Sequence, residues 1–161
     1  NHDVLSWSFS SGAPSSLFCS PANAHSGGQS VTLANSGGGA AGVYHLEATD
    51  GPSGEFGFFL VSAGANPSGV AVSQGLLCLS PPLGRYTATA GPGLNSLGAF
   101  DGSGAFQSLG GGSATGPGFD VPAVLPNPPG GVITSGPTWH FQPRYRDRPA
   151  SNFPDAPAVT F

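Results

Sequence analysis

Three of the four arginines in this sequence, Arg144, Arg146 and Arg148, stand on alternate positions near its end, with Tyr145 and Asp147 between them. A guanidinium presents a rigid fork of donors that matches a carboxylate or a sulfate, so such a cluster could hold an acidic or sulfated glycan. The plainer reading is structural: an arginine paired with Asp147 or Asp155 would tie the last loop to the body of the domain. Arg144, Tyr145, Arg146 and Arg148 are therefore the candidate surface-binding set.

Other chemistry-bearing residues are scattered. The histidines His2, His25, His45 and His140 share no spacing that suggests a metal site. Asp101-Gly-Ser-Gly is short of a calcium loop, which needs several oxygen ligands at set offsets. Glu47, Asp50 and Glu55 lie near one expected hairpin. They could pair as glycosidase carboxylates, although solvated strand ends carry such residues more ordinarily. There is no G-x-S-x-G elbow, P-loop or H-E-x-x-H run. The expectation is no enzyme, no metal and no cofactor. Tyr44, Tyr86 and Tyr145 are the aromatic candidates for a sugar-stacking surface, whereas Trp139 and Phe141 share a strand face expected to point inward.

Composition narrows the setting. Of 161 residues, 27 are Gly and 17 are Pro, so turns are frequent and long helices are disfavoured. Charged residues make up 7% against the roughly 25% of an ordinary globular chain, and lysine is absent. The formal charge of −4 excludes a nucleic-acid partner, since phosphate binding needs clustered cations. No apolar run reaches the ~18 residues of a membrane helix. The sequence does not begin with Met, which reads as a mature product with a targeting segment removed. Cys19 and Cys78 are expected to form one disulfide in an oxidising compartment, with two separate buried thiols as the alternative.

The elements that would position these residues are strands. Trp139, Phe141 and Tyr145 alternate with His140, Gln142 and Arg144, which marks a half-buried β-strand. Residues Asp3 to Ser10 alternate too, with Leu5, Trp7 and Phe9 on one side and serines on the other. A Ser/Gly/Pro-rich link follows. The organisation expected is an N-terminal strand over 1–10, a flexible linker over 11–16 and a β-sandwich domain over 17–161. Further strands are expected at Ser30 to Ala34, Gly42 to Thr49, Glu55 to Ser62 (the most apolar, hence central), Gly75 to Leu79, Arg85 to Ala90, around an Asp101 turn, at Phe119 to Leu125 and at Ala158 to Phe161. Eight or nine short strands at this spacing predict an all-β, jelly-roll-like β-sandwich.

Four stretches, FCSPANAHSGG, GEFGFFLVS, VSQGLLCLSPPLGRY and TWHFQPRYRD with SNFPDAPAVTF, together resemble a module of secreted and surface proteins of planctomycetes and other environmental bacteria. They run in the family's order and cover nearly everything after Leu17. The resemblance implies an extracellular β-rich module, common at the C-terminal end of longer chains, and brings no catalytic residue. Two positions depart from the family. Pro154 replaces the hydroxyl residue of its SNFT or SNFS ending, and Pro143 stands where Leu or Trp often precedes the Tyr. A proline lacks a ladder donor, so Pro143 predicts a bulge or an edge.

Two functions follow as expectations. The first is a secreted structural subunit that inserts its Leu5/Trp7/Phe9 strand into a neighbouring copy and so builds a head-to-tail filament, a homo-polymer. The second is a carbohydrate- or cell-surface-binding appendage module with glycans as partners. A low-charge Ser/Gly/Thr surface suits an extracellular glycoprotein with O-linked sugars; no N-x-S/T sequon is present.

Overall fold

The computed structural model describes residues 2–3, 6–9, 16–19, 22–36, 44–87, 95–134 and 136–148, with the backbone alone for 2–3 and 6–9. Thirteen strands and no helix lie among the described residues. In order they are β1 (His2–Asp3), β2 (Ser6–Phe9), β3 (Ser16–Phe18), β4 (Thr32–Ser36), β5 (Tyr44–Thr49), β6 (Phe56–Ser62) and β7 (Gly64–Val72). There follow β8 (Gly75–Ser80), β9 (Gly84–Arg85), β10 (Gly98–Phe100), β11 (Phe106–Ser108), β12 (Phe119–Val121) and β13 (Trp139–Tyr145). The count exceeds eight or nine because several strands have only two or three residues, and because β7 has a Gly/Asn/Pro/Ser-rich sequence that carries no strand pattern.

The strands form an all-β sandwich of antiparallel sheets. A large sheet runs β11-β10-β6-β13-β2-β3, with β1 also on β13 and β9 also on β6; a second runs β12-β5-β4; β7 and β8 form a third. The expected alternation of β5 holds, because Leu46 and Ala48 are buried and Tyr44 packs against the core. They meet Phe59 and Val61 of β6 and Phe141 and Tyr145 of β13, which makes one core between the first two sheets. Phe59 stacks on Phe119 of β12 across that core, with ring centroids 5.6 Å apart. Aromatic pairs of this kind add about 0.5–1.5 kcal/mol beyond their buried area.

The central position of β6 matches its apolar sequence, since it lies between β13 and β10. The disulfide joins Cys19, just after β3, to the fully buried Cys78 of β8, with Cα atoms 6.1 Å apart. Pro143 sits within β13 opposite Phe59. On the other flank, Asp3 stands opposite Arg144 and Trp7 opposite Phe141. The expected strand over 158–161, Leu5 and most of the 11–16 linker lie outside the described residues.

Candidate functional site

Alternation along β13 puts Phe141 and Tyr145 on the core face and His140, Gln142 and Arg144 on the opposite, outer face. The partner strand β6 follows the same rule: Phe59 and Val61 point inward, Phe58 and Leu60 outward. Cross-strand register then assembles the outer face. Arg144 is paired with Phe58, Gln142 with Leu60 and, across the other edge of β6, Leu60 with Arg85 of β9. Residues directly opposite on antiparallel strands have adjacent side chains.

One end of this outer face is covered. The Gln142 amide oxygen accepts the Cys78 N–H at 3.0 Å, and its amide nitrogen donates to the Leu76 carbonyl at 2.8 Å. Ser62 donates its hydroxyl to the Ser80 carbonyl. The β7–β8 hairpin is therefore clamped over the His140/Gln142 end. At the other end a groove of about 470 Å³ is lined by Phe56, Gly57, Phe58, Leu60, Arg85, Leu97, Arg144, Tyr145 and Arg146. The Arg85 guanidinium sits 3.8 Å above the centre of the Phe58 ring. Such a cation–π contact contributes about 0.5–2 kcal/mol and fixes the guanidinium in place. Partial burial lowers the Arg85 pKa, yet an arginine stays charged at any physiological pH. Among the described residues no carboxylate lines the groove.

The arginine-rich ending is therefore split. Arg144 and Arg146 enter the groove. Arg148 does not line it and is exposed, with its Nε 3.9 Å from a Glu55 carboxylate oxygen, a long surface ion pair of little energetic weight. Asp147 accepts the Ser26 N–H at 2.7 Å and the Ser26 hydroxyl, which ties the end of β13 to the turn at His25–Gly28. Asp155 lies outside the described residues. Tyr145 lines the groove as well, but its side chain is 3% exposed and packs edge-on against Phe100 in the core. Tyr86 is likewise 1% exposed. Burial raises its phenol pKa well above the ordinary value. Alternation could have shown this, since Arg85 and Tyr86 must face opposite ways. The same rule would have singled out Arg85 as the third groove arginine.

The other candidates have separate roles. His45 Nδ1 lies 2.7 Å from the Asp120 carboxylate, and its Nε2 lies 3.5 Å from Glu47. Glu47 also takes the Ser36 hydroxyl at 2.6 Å, and Asp120 takes the Ala114 N–H. This polar cluster braces the solvent face of the second sheet, and the Ser36 hydroxyl donates to the Glu47 carboxylate. His25 Nδ1 accepts the Gly27 N–H, so its Nε2 carries the proton and donates to the Asp50 carbonyl. Asp101 accepts from Ser103, Ala105 and Gln107, which closes its turn and holds its pKa down to about 2. Among the described residues no three His, Cys, Asp or Glu side chains gather as a metal site.

The N-terminal strand has a defined place. Trp7 and Phe9 stand at register positions opposite Phe141 and Trp139. On its other side β2 pairs with β3, Trp7 opposite Leu17. No helix of the described residues is long and apolar enough to cross a membrane. No protein-family model, curated protein or solved structure matches the chain.

Proposed function

We propose that this chain is an extracellular, non-enzymatic binding module that attaches to a surface ligand, carbohydrate foremost, through the open groove on its large sheet. The observation that carries the reading is the convergence of three of the four arginines, from β9 and from the end of β13, on one groove walled by Phe56, Phe58 and Leu97. In a chain of net charge −4 without lysine, cations so placed select a ligand rather than serve solubility. The test is retention of the purified protein on insoluble cell-wall polysaccharide, with Arg85→Gln beside it. Retention that weakens in the variant is the expected result. Retention equal in both, or none in either, refutes the reading.

A second reading, the strand-exchange filament, is supported by the position of β2 between two strands with independent anchors. β13 is held by β6, and β3 leads directly into the disulfide at Cys19. Withdrawal of β2 would leave a slot between them that the same segment of another copy could fill. The six residues between Phe9 and Ser16 could reach at most ~20 Å when extended. Negative-stain electron microscopy of the full chain and of a deletion of Asn1 to Ser10 decides it. Filaments that vanish in the deletion support the polymer; discrete particles in both end it.

A further inference from the structure

We infer that His140 is a pH-sensitive catch for the N-terminal segment: its protonation frees β2 and β3 from β13 while the core between the first two sheets stays closed. The inference holds for a single copy and does not rest on the strand-exchange reading, for which it would be the trigger.

Register places the catch. On β13, His140 stands opposite Ser8 of β2 on one side and Ser62 of β6 on the other. Beyond β2 lies β3, where Phe18 stands opposite Ser6. Phe18 and His140 thus flank a strand whose positions at this point are both serine, and their rings meet at 81° with centroids 5.4 Å apart. Cys19, the residue after Phe18, is bonded to Cys78 of β8, and β7 and β8 lie against β13. The imidazole is therefore enclosed on one side by the segment that carries β2 and β3.

Charge makes this enclosure sensitive to pH. His140 Nδ1 is buried and has no hydrogen-bond partner among the described residues. A neutral ring can leave a lone pair there, whereas an imidazolium carries a donor on both nitrogens. A buried donor without an acceptor is costly, and more so when charged. A carboxylate would offset that cost, but β2, β3, β6, β7 and β8 contain no Asp, Glu, Lys, Arg or further His. The charged and titratable positions on the remaining strands around it are Arg144, of the same sign, on β13 itself, and His2 and Asp3 of β1, which stand opposite Tyr145 and Arg144 at the far end of β13. Burial lowers the His140 pKa, so the closed state keeps the neutral ring, and closing becomes less favourable as pH falls below the ordinary ~6.5.

Relief is local. Lifting Phe18 lets water reach the ring. β3 is the last strand of the large sheet and has three residues, with Leu17 45% exposed. β13 keeps β6 on its other side. An edge of this kind opens at a lower free energy than the core. The disulfide stays intact and confines the opening to the residues before Cys19.

The experiment is hydrogen–deuterium exchange of the oxidised full chain at about pH 8 and about pH 5, on either side of the histidine range, corrected for the intrinsic effect of pH on amide exchange. Protection of Ser6 to Phe9 and of Ser16 to Phe18 should fall at least about tenfold at the lower pH, with β5 and β6 unchanged. His140→Gln cannot take the proton and should show no such fall; Phe18→Ala opens the ring to water and should show a smaller one. His2→Gln should behave as wild type. Equal protection at both pH values in the wild type overturns the inference, as does a fall that persists in His140→Gln or disappears in His2→Gln. Stronger protection in acid also overturns it, because the Phe18 ring would then be holding the imidazolium. Should His140→Gln not fold, an undiminished fall in Phe18→Ala overturns it instead. Sedimentation of the acidified chain separates the catch from strand exchange. Release with larger species that need Asn1 to Ser10 supports both; release with the chain still monomeric supports the catch and counts against the filament.

Discussion

Gln142→Leu should destabilise the domain by about 2–4 kcal/mol, even though leucine fills nearly the same volume. Gln142 has no exposed surface, and its amide spans from the large sheet to β8. The need for it is visible in the β7–β8 ladder. Ala65 pairs with Leu79 and Val70 with Leu77, so the four residues between Ala65 and Val70 stand against Cys78 alone. Gly69 turns this bulge at φ +66°, where a Cβ would press on the Cys78 sulfur. The Cys78 N–H points to Gln142 instead. Removing the amide orphans that buried N–H, which costs about 1–3 kcal/mol. The half-buried bond to the Leu76 carbonyl adds about 0.5–1.5 kcal/mol. The assay is urea unfolding of the oxidised protein, Gln142→Leu against wild type, with exposed Gln74→Leu as control. For a domain of this size the same loss lowers Tm by roughly 2–4 °C per kcal/mol. A shift under about 0.5 kcal/mol, the level of ordinary surface changes, would mean that the hairpin is held by its apolar contacts and the disulfide, and that the clamp is incidental.

Three further outcomes are expected. Phe119→Ala should cost about 3–5 kcal/mol in the same unfolding assay, because the ring stacks on Phe59 and meets Tyr86 in the middle of the core; a loss under 1 kcal/mol would place the sheet contact elsewhere. Replacing Cys19 and Cys78 together by serine should cost about 4 kcal/mol, since the bond closes a loop of 59 residues in sequence separation, and a reducing agent should lower the wild-type melting point while leaving that variant unmoved. His140 should make stability depend on pH. Burial lowers its pKa, so the unfolded chain takes up the extra proton; the contribution is full above pH ~6.5 and fades as pH falls through the lower folded value. The difference in urea midpoint between pH 8 and pH 5 should shrink in His140→Gln, and an equal difference in both proteins would refute the assignment.

How much of this was legible in the sequence depends on which period the residues kept. Where alternation was strict, as in Tyr44/Leu46/Ala48 and in Trp139 to Tyr145, strand and face were both readable. The β7 strand was not, because Asn66, Pro67, Ser68 and Gly69 form the bulge itself and look like a turn. The burial of the Tyr145 side chain was readable from phase, since the strand that sends Arg144 out must send Tyr145 in.

The groove explains why phase matters more than clustering in this chain. Arg144, Arg146 and Arg148 look like one cationic patch when read along the chain, yet Arg148 falls beyond the strand and pairs loosely with Glu55. The third groove arginine instead comes from 59 positions earlier than Arg144, through the ladder Arg85–Leu60–Gln142 and the neighbouring pair Phe58–Arg144. That ladder is the same row that supplies Gln142 to clamp the β7–β8 hairpin. One outer face therefore does two things along its length. Its amide end is closed by hydrogen bonds to β8, and its guanidinium end lines the groove. Closure of one end fixes the positions of β6, β9 and β13, and so holds the cations of the other end at a spacing a flexible loop could not keep. The Gln142→Leu variant consequently tests more than stability: weaker retention of the still-folded variant on cell-wall polysaccharide would show that the clamp positions the groove.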